Sequence, residues 1–184
     1  MMFKGVRQLC LGLVCTLGAT QLLAEAPTRA PKMVVGWLES VQLLPADMRI
    51  KAKLDTGAKT SSLHAKNIEY FKKDGKTWVR FDFTDTNLDT KKKETHRLEG
   101  PLTREVVIKR HGAKNITRPV VAMNFCLYHQ VYRTEFSLAN RSKFNYSVLL
   151  GRSFLSKVAL VDSSEIFLSR PACEGNNFIQ DALE

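Results

Sequence analysis

A short turn that follows an alternating strand constrains this chain more than any other feature. Residues Met48–Leu54 alternate apolar and basic side chains, and this period of two predicts a β-strand with one buried face. The strand runs into Asp55-Thr56-Gly57-Ala58, so a carboxylate follows buried backbone directly on a turn that contains glycine. Much later, the segment Val148–Leu155 couples three apolar residues to a Gly-Arg pair. The pattern indicates a β fold that holds one carboxylate rigidly at the end of a strand.

Short strand-like segments recur along the rest of the chain and predict an all-β fold. Turn residues separate these segments, and no helix-length pattern joins consecutive strands, so a closed β-barrel is favoured over a βαβ unit. One short helix is predicted after Gly151. Lys72–Lys76 is predicted as a hairpin turn. The long polar segment Thr84–Gly100 is predicted as a loop, and a loop of this length is usually functional or disordered.

The N-terminal residues have the pattern of a secretory signal. Lys4 and Arg7 precede the apolar run Leu9–Leu17, and cleavage is predicted after Ala24. Residues 25–33 are then an extended leader, residues 34–171 the folded domain and residues 172–184 a C-terminal tail. The signal predicts a periplasmic or secreted protein. An uncleaved anchor is the alternative, and it is the one route to membrane association that the sequence suggests.

Removal of the signal would leave two of the four cysteines, Cys126 and Cys173. In an oxidising compartment such a pair predicts a disulfide between the tail and a central strand, and two buried free thiols are the alternative. The sequence has no Cys-x-x-Cys pair and no His-x-x-x-His or His-Glu-x-x-His arrangement. No metal site is therefore predicted.

The chain is basic. Its formal charge of +10 would fall to +8 on loss of Lys4 and Arg7 with the signal. Such a field favours anionic partners, including acidic peptides. The basic residues lie in short clusters without interleaved aromatic residues, so they are interpreted as solvated faces and no nucleic-acid partner is predicted.

Several motifs together resemble one known family across residues 35–171. They comprise Gly36-x-x-Glu39, Leu43–Pro45, Ile50–Ala58, Thr60–Ala65, Arg118-Pro119 and Leu149–Arg152. In this order they resemble the bacterial retropepsin-like family, whose members are often labelled ATP-dependent zinc proteases. The sequence has neither a phosphate-binding Gly-x-x-x-x-Gly-Lys-Ser/Thr loop nor a zincin helix, so no ATP, zinc or other cofactor is predicted.

The resemblance implies an aspartic endopeptidase in which Asp55 is catalytic. Such enzymes use two carboxylates that share one proton, and a chain with a single Asp-Thr-Gly must form a homodimer to supply both. A peptide or protein would be the substrate. The residues that the resemblance assigns to support of the turn are Thr56, Gly57 and Ala58. Thr60 and Ser61 are further candidates for turn support, and a hydroxyl-rich start of the next strand is the alternative. Those that it places behind the site are Leu149 and Leu150 as core, Gly151, and Arg152 as an ion-pair or interface residue.

One feature of the strand before Asp55 leaves an alternative open. Lys51 and Lys53 lie on the same strand face as Asp55, and a cation beside the carboxylate would work against a shared proton. The alternative is a periplasmic module that binds an extended peptide without cleaving it.

A Ser61-His64-Asp55 triad is disfavoured because the sequence has no nucleophile elbow. The polar segment 84–100 is a candidate for a substrate-covering flap.

Overall fold

The computed structural model describes residues 31–110, 112, 114–168, 170–174 and 178–183, all within one compact unit. The predicted signal peptide and most of the leader lie outside these residues. Each element is bounded as follows: β1 Met33–Leu43, a 3-10 turn Leu44–Ala46, β2 Met48–Leu54, β3 Ser61–His64, β4 Lys66–Lys73, β5 Lys76–Thr86, β6 Lys93–Ile108, β7 Ile116–Leu127, β8 Gln130–Ala139, β9 Val148–Leu150, α1 Arg152–Val158, β10 Ala159–Ile166 and β11 Ile179–Asp181.

The described strands form one sheet in the order β10-β1-β2-β9-β3-β8-β7-β6-β5-β4, and β11 pairs with β8. The predicted all-β class is confirmed, as is one short helix after Gly151. Closure of the sheet into a barrel stays a prediction. Among the described residues, no helix is long and apolar enough to cross a membrane.

Strand β2 brings Asp55 to its position. Met48, Ile50, Ala52 and Leu54 are all buried, while the lysines between them face outward, as a period of two requires. On one side β2 pairs antiparallel with β1, and on the other it pairs parallel with β9. Asp55 therefore leaves the middle of a sheet whose neighbouring strands limit its movement.

Helix α1 is fastened to the core by an aromatic cluster. The Phe154 ring lies 5.3 Å from the ring of Phe125 and 5.2 Å from that of Tyr132. Phe125 also meets Phe136 edge to face, with ring centroids 5.9 Å apart. Burial of each such ring contributes about 1.5–3 kcal/mol, so the short helix is held by packing rather than by its own propensity.

The prediction of a loop over Thr84–Gly100 is wrong. Strands β5 and β6 pair through most of this segment as an antiparallel hairpin, and the connection spans only residues 87–92. Polar residues are accommodated because the hairpin is stabilised by cross-strand ion pairs such as Arg80–Glu99. At the tip, Leu88 donates its N–H to the Arg49 carbonyl and Asp89 pairs with the Arg49 side chain. The tip is thus fastened to the start of β2.

The C-terminal tail is joined to the sheet at several points. A disulfide connects Cys126 of β7 to Cys173. Strand β11 adds to the edge of β8, and Ala182 is buried after it. The Lys157 ammonium of α1 donates to the carbonyl of Leu183. The tail therefore contacts the same helix that supports the Asp55 turn.

Candidate active site

The carboxylate of Asp55 is held by the backbone of its own turn. The Gly57 N–H donates to Oδ1 at 2.9 Å, and the Ala58 N–H donates to the same oxygen at 3.3 Å. The Asp55 N–H donates to the Leu150 carbonyl at 2.8 Å, which fastens the turn to β9. Gly57 suits this arrangement because a Cβ there would lie 3.2 Å from Oδ1. The turn presents one oriented carboxylate whose side chain is 23% exposed.

Lys53 contacts the other oxygen of this carboxylate. Its Nζ lies 3.1 Å from Asp55 Oδ2, as the shared strand face predicted. Burial raises the pKa of Asp55, but the hydrogen bond and charge of Lys53 and the N–H groups of Gly57 and Ala58 outweigh it, so the pKa is lowered. In one chain, Asp55 is therefore a stable carboxylate.

The segment after β9 supports the turn from behind. The Gly151 N–H donates to Ser61 Oγ at 3.1 Å, and the Arg152 N–H donates to the Ala58 carbonyl at 2.9 Å. A Cβ at Gly151 would lie 2.6 Å from the Thr60 carbonyl carbon, so glycine is required there by close backbone approach. Ser61 thus supports the turn by accepting a hydrogen bond at Oγ, and Thr60 supports it by the packing of its backbone against Gly151.

Arg152 contacts the turn itself. The sequence favoured an ion pair or an interface contact for this residue. In the structure, Arg152 Nη1 instead donates to the carbonyls of Thr56 at 3.0 Å and Gly57 at 2.7 Å. These two carbonyls belong to the peptide units whose N–H groups, at Gly57 and Ala58, donate to Asp55. Arg152 is exposed, and its guanidinium joins the start of α1 to the Asp55 turn.

The two leucines of β9 have different environments. Leu150 is fully buried. Leu149, predicted as core, is only partly buried and lines an open cavity beside Asp55. This follows from the period of two, because adjacent residues of a strand point to opposite faces.

The cavity beside Asp55 has a volume of about 410 Å³. Asp55 is the one carboxylate among the described residues that line it. The complete lining is Trp37, Lys53, Asp55, Arg141, Phe144, Asn145, Tyr146 and Leu149. Sequence reasoning missed Arg141, Phe144 and Tyr146, since the polar loop before β9 carries no local signal that places it against β2. It also missed Trp37, which reaches the cavity from β1.

A Ser61-His64-Asp55 triad is excluded by the contacts of its members. Ser61 Oγ accepts the Gly151 N–H, and His64 Nδ1 accepts the Arg141 N–H at 2.9 Å. Burial, followed by the charges of Lys66, Arg141 and Lys93, lowers the pKa of His64. Within the described part of the chain, no group of three or more His, Cys, Asp or Glu side chains could hold a metal ion.

Comparisons with known proteins find a matching family and a similar solved structure. The family model of RimB-like proteins, described as retropepsin-like aspartic endopeptidase RimB, matches residues 34–171. The crystal structure of Lpg0085, a protein of unknown function (DUF785) from Legionella pneumophila, superposes with a TM-score of 0.65 at 33% sequence identity. The match covers 76% of this chain and 100% of that one.

Two curated relatives are each named probable alpha-L-glutamate ligase. The one from Shewanella pealeana is 37% identical over 118 residues, which is 64% of this chain and 25% of that protein. The one from Desulfotalea psychrophila is 33% identical over 135 residues, which is 71% of this chain and 28% of that protein. The chain thus spans about a quarter of the length of these relatives. Because the RimB-like model covers most of the chain, the chain belongs to the RimB-like family of retropepsin-like aspartic endopeptidases.

Proposed function

We propose that this chain is an aspartic endopeptidase whose dyad consists of Asp55 from each of two identical subunits. The observation that carries the proposal is one oriented carboxylate, held by the N–H groups of Gly57 and Ala58 at the edge of a cavity with no second carboxylate among its described lining residues. Thr56 and Gly57 are exposed, so the turn is accessible to a second copy. A site of this kind becomes complete only across a two-fold axis.

In the dimer, the ionised Asp55 takes a proton from water while the protonated Asp55 donates to the scissile carbonyl. Two carboxylates about 3 Å apart cannot both ionise, so they titrate as a coupled pair and hold one proton between them. Arg152 keeps the peptide units after Asp55 in place through the carbonyls of Thr56 and Gly57.

The substrate that we propose is an extended peptide with acidic side chains, in particular glutamate. Lys53 and Arg141 line the cavity beside Asp55, and the basic chain attracts anions. The relatives named probable alpha-L-glutamate ligase share the matched segment. A protein named for joining glutamate points to a glutamate-containing peptide as the molecule on which this segment acts. The signal predicted for residues 1–24 supports the bacterial envelope as the location of the reaction.

One observation favours a second candidate, a module that binds such peptides without cleaving them. The Lys53 ammonium favours the ionised form of Asp55 and therefore opposes the shared proton. A binding module would use the same cavity and would have no need of a dimer.

Peptide cleavage decides between the two. Protein produced from the full chain is incubated with a diverse peptide mixture between about pH 4 and pH 7.5, beside Asp55→Asn, and the products are identified by mass spectrometry. If the chain is an endopeptidase, the wild-type protein cuts at acidic residues and the Asp55→Asn variant makes no cuts. If the chain is a binding module, neither protein cuts any peptide, and the Asp55→Asn variant keeps its affinity for the peptide.

Mixing the two proteins tests the dimer. If two Asp55 residues form the site, activity after subunit exchange at constant total protein falls with the square of the wild-type fraction. A linear decrease would show that each chain acts alone and would overturn the shared dyad.

A further inference from the structure

Arg141 is a buried cation beside the cavity of Asp55. Only 9% of the residue is exposed. Its Nε donates to the Tyr146 carbonyl at 3.0 Å, and its guanidinium lies 4.8 Å from the centre of the Phe144 ring. No ion pair of Arg141 occurs among residues that the structure describes. By contrast, Arg49, Arg80, Arg97 and Arg104 each pair with a carboxylate there, although they are more exposed.

An unpaired buried charge is costly, because the desolvation of the cation is not offset by a nearby anion. Burial and then the charge of Arg118 lower the pKa of Arg141, while the charge of Asp55 opposes this shift. The two contacts at Nε and the ring orient the guanidinium and leave it facing the cavity that it shares with Asp55. Such preorganisation is typical of a site that binds an anion.

A second cavity extends the first past Arg141. Its volume is about 320 Å³, and it shares Arg141, Phe144 and Asn145 with the cavity beside Asp55. Lys66 and Lys93 also line it, and neither forms an ion pair with any residue that the structure describes. Its one described carboxylate is Asp85, whose pKa is raised by burial. The two cavities form a basic trough that starts at Asp55.

We propose that Arg141 is a specificity-determining residue that binds a side-chain carboxylate of an acidic peptide, and that Lys66 and Lys93 bind further carboxylates of the same chain along the trough. The planar guanidinium can form two parallel hydrogen bonds with a carboxylate, which an ammonium cannot. Phe144, 62% exposed, lines both cavities. The choice of an acidic peptide rests on the proposed function, whereas the anion site rests on the geometry of Arg141.

Binding rather than cleavage tests this inference, so that it is separable from the proposed function. All variants carry Asp55→Asn to prevent turnover. Fluorescence anisotropy measures their affinity for labelled hexaglutamate, with hexaglutamine as the neutral peptide. Adding Arg141→Gln is expected to weaken hexaglutamate binding about 10- to 100-fold and to reduce its salt dependence. Adding Arg141→Lys should give an intermediate affinity. Adding Lys76→Gln, which removes an equal charge at the opposite end of β5, should leave the affinity unchanged within about twofold.

The outcomes are distinct. Hexaglutamate affinity that is unchanged by Arg141→Gln in folded protein overturns the inference, as does the absence of any preference for hexaglutamate over hexaglutamine. A purely structural Arg141 would lower the unfolding temperature and would leave the salt dependence of the remaining binding unchanged. If the expected loss occurs while wild-type protein cleaves no peptide, the anion site stands and the endopeptidase proposal fails.

Discussion

The Lys53 ammonium lies 3.1 Å from the Asp55 carboxylate, on the same face of β2. It helps lower the pKa of that carboxyl, which keeps Asp55 ionised at lower pH. In a dyad the state with one proton is active, so a lower carboxyl pKa moves the active range to lower pH. We therefore expect Lys53 to help set the operating pH of the proposed endopeptidase.

Lys53→Met is expected to shift the pH–activity profile to higher pH, because loss of the cation raises the pKa of Asp55. The profile of kcat/KM against pH measures the shift. Lys51→Met is the control, since Lys51 lies on the same strand face and its charge acts on Asp85. An unchanged profile in Lys53→Met, or an equal shift in both variants, would contradict this role.

Arg152 should affect catalysis more than stability. Arg152→Met removes the hydrogen bonds to the Thr56 and Gly57 carbonyls, so the turn loses part of its orientation, and kcat is expected to fall about 10- to 100-fold. Because the guanidinium is exposed, the free energy of unfolding should fall by only about 1 kcal/mol. Lys157→Met on the same helix is the control. Normal kcat combined with a large loss of stability would assign Arg152 to folding instead.

Gly151 and Gly100 are a test position and its control for the effect of adding a methyl group to a glycine. A Cβ at Gly151 would lie 2.6 Å from backbone carbon of Thr60, whereas at Gly100 the nearest atom, in Val121, is 3.5 Å away. Gly151→Ala should therefore lower the free energy of unfolding by about 1–3 kcal/mol or more, and Gly100→Ala should change it little. Urea unfolding compares the two. Equal effects would show that the segment behind Asp55 can relax around a methyl group.

The Cys126–Cys173 disulfide closes a loop with a sequence separation of 47 residues. The Cys126→Ala/Cys173→Ala variant is expected to lose about 2–4 kcal/mol of unfolding free energy, because its unfolded chain is less restricted. Reduction of the wild-type protein should give the same loss, and reduction of the variant should give none. Mass mapping without reductant checks the bond itself. Two free thiols in protein from an oxidising compartment would contradict the pairing.

The features that could be predicted from the sequence depend on neighbouring residues. The alternation of Met48–Leu54 predicts β2 because side chains of a strand point to opposite faces, and the same rule places Lys53 beside Asp55. The turn at Asp55 is likewise local, since its carboxylate accepts N–H groups two and three residues further on.

The hairpin over Thr84–Gly100 could not be predicted from composition. Its polar residues resemble those of a loop, but Asp82–Arg97 and Arg80–Glu99 ion pairs join its strands on an exposed face. Such pairs form only when the strands are in register, so they are a property of the paired sheet rather than of either strand.

The amino-acid sequence by itself determined the all-β class, the strand that carries Asp55 and the local turn that orients its carboxylate. Only the tertiary structure decided that Arg152 reaches Thr56 from 96 residues away, and that Leu149 and Arg141 line one cavity with Asp55. The physical reason is the sequence separation over which each kind of interaction acts. Periodicity and turn chemistry act over a few residues, whereas these contacts depend on how distant strands and loops pack together.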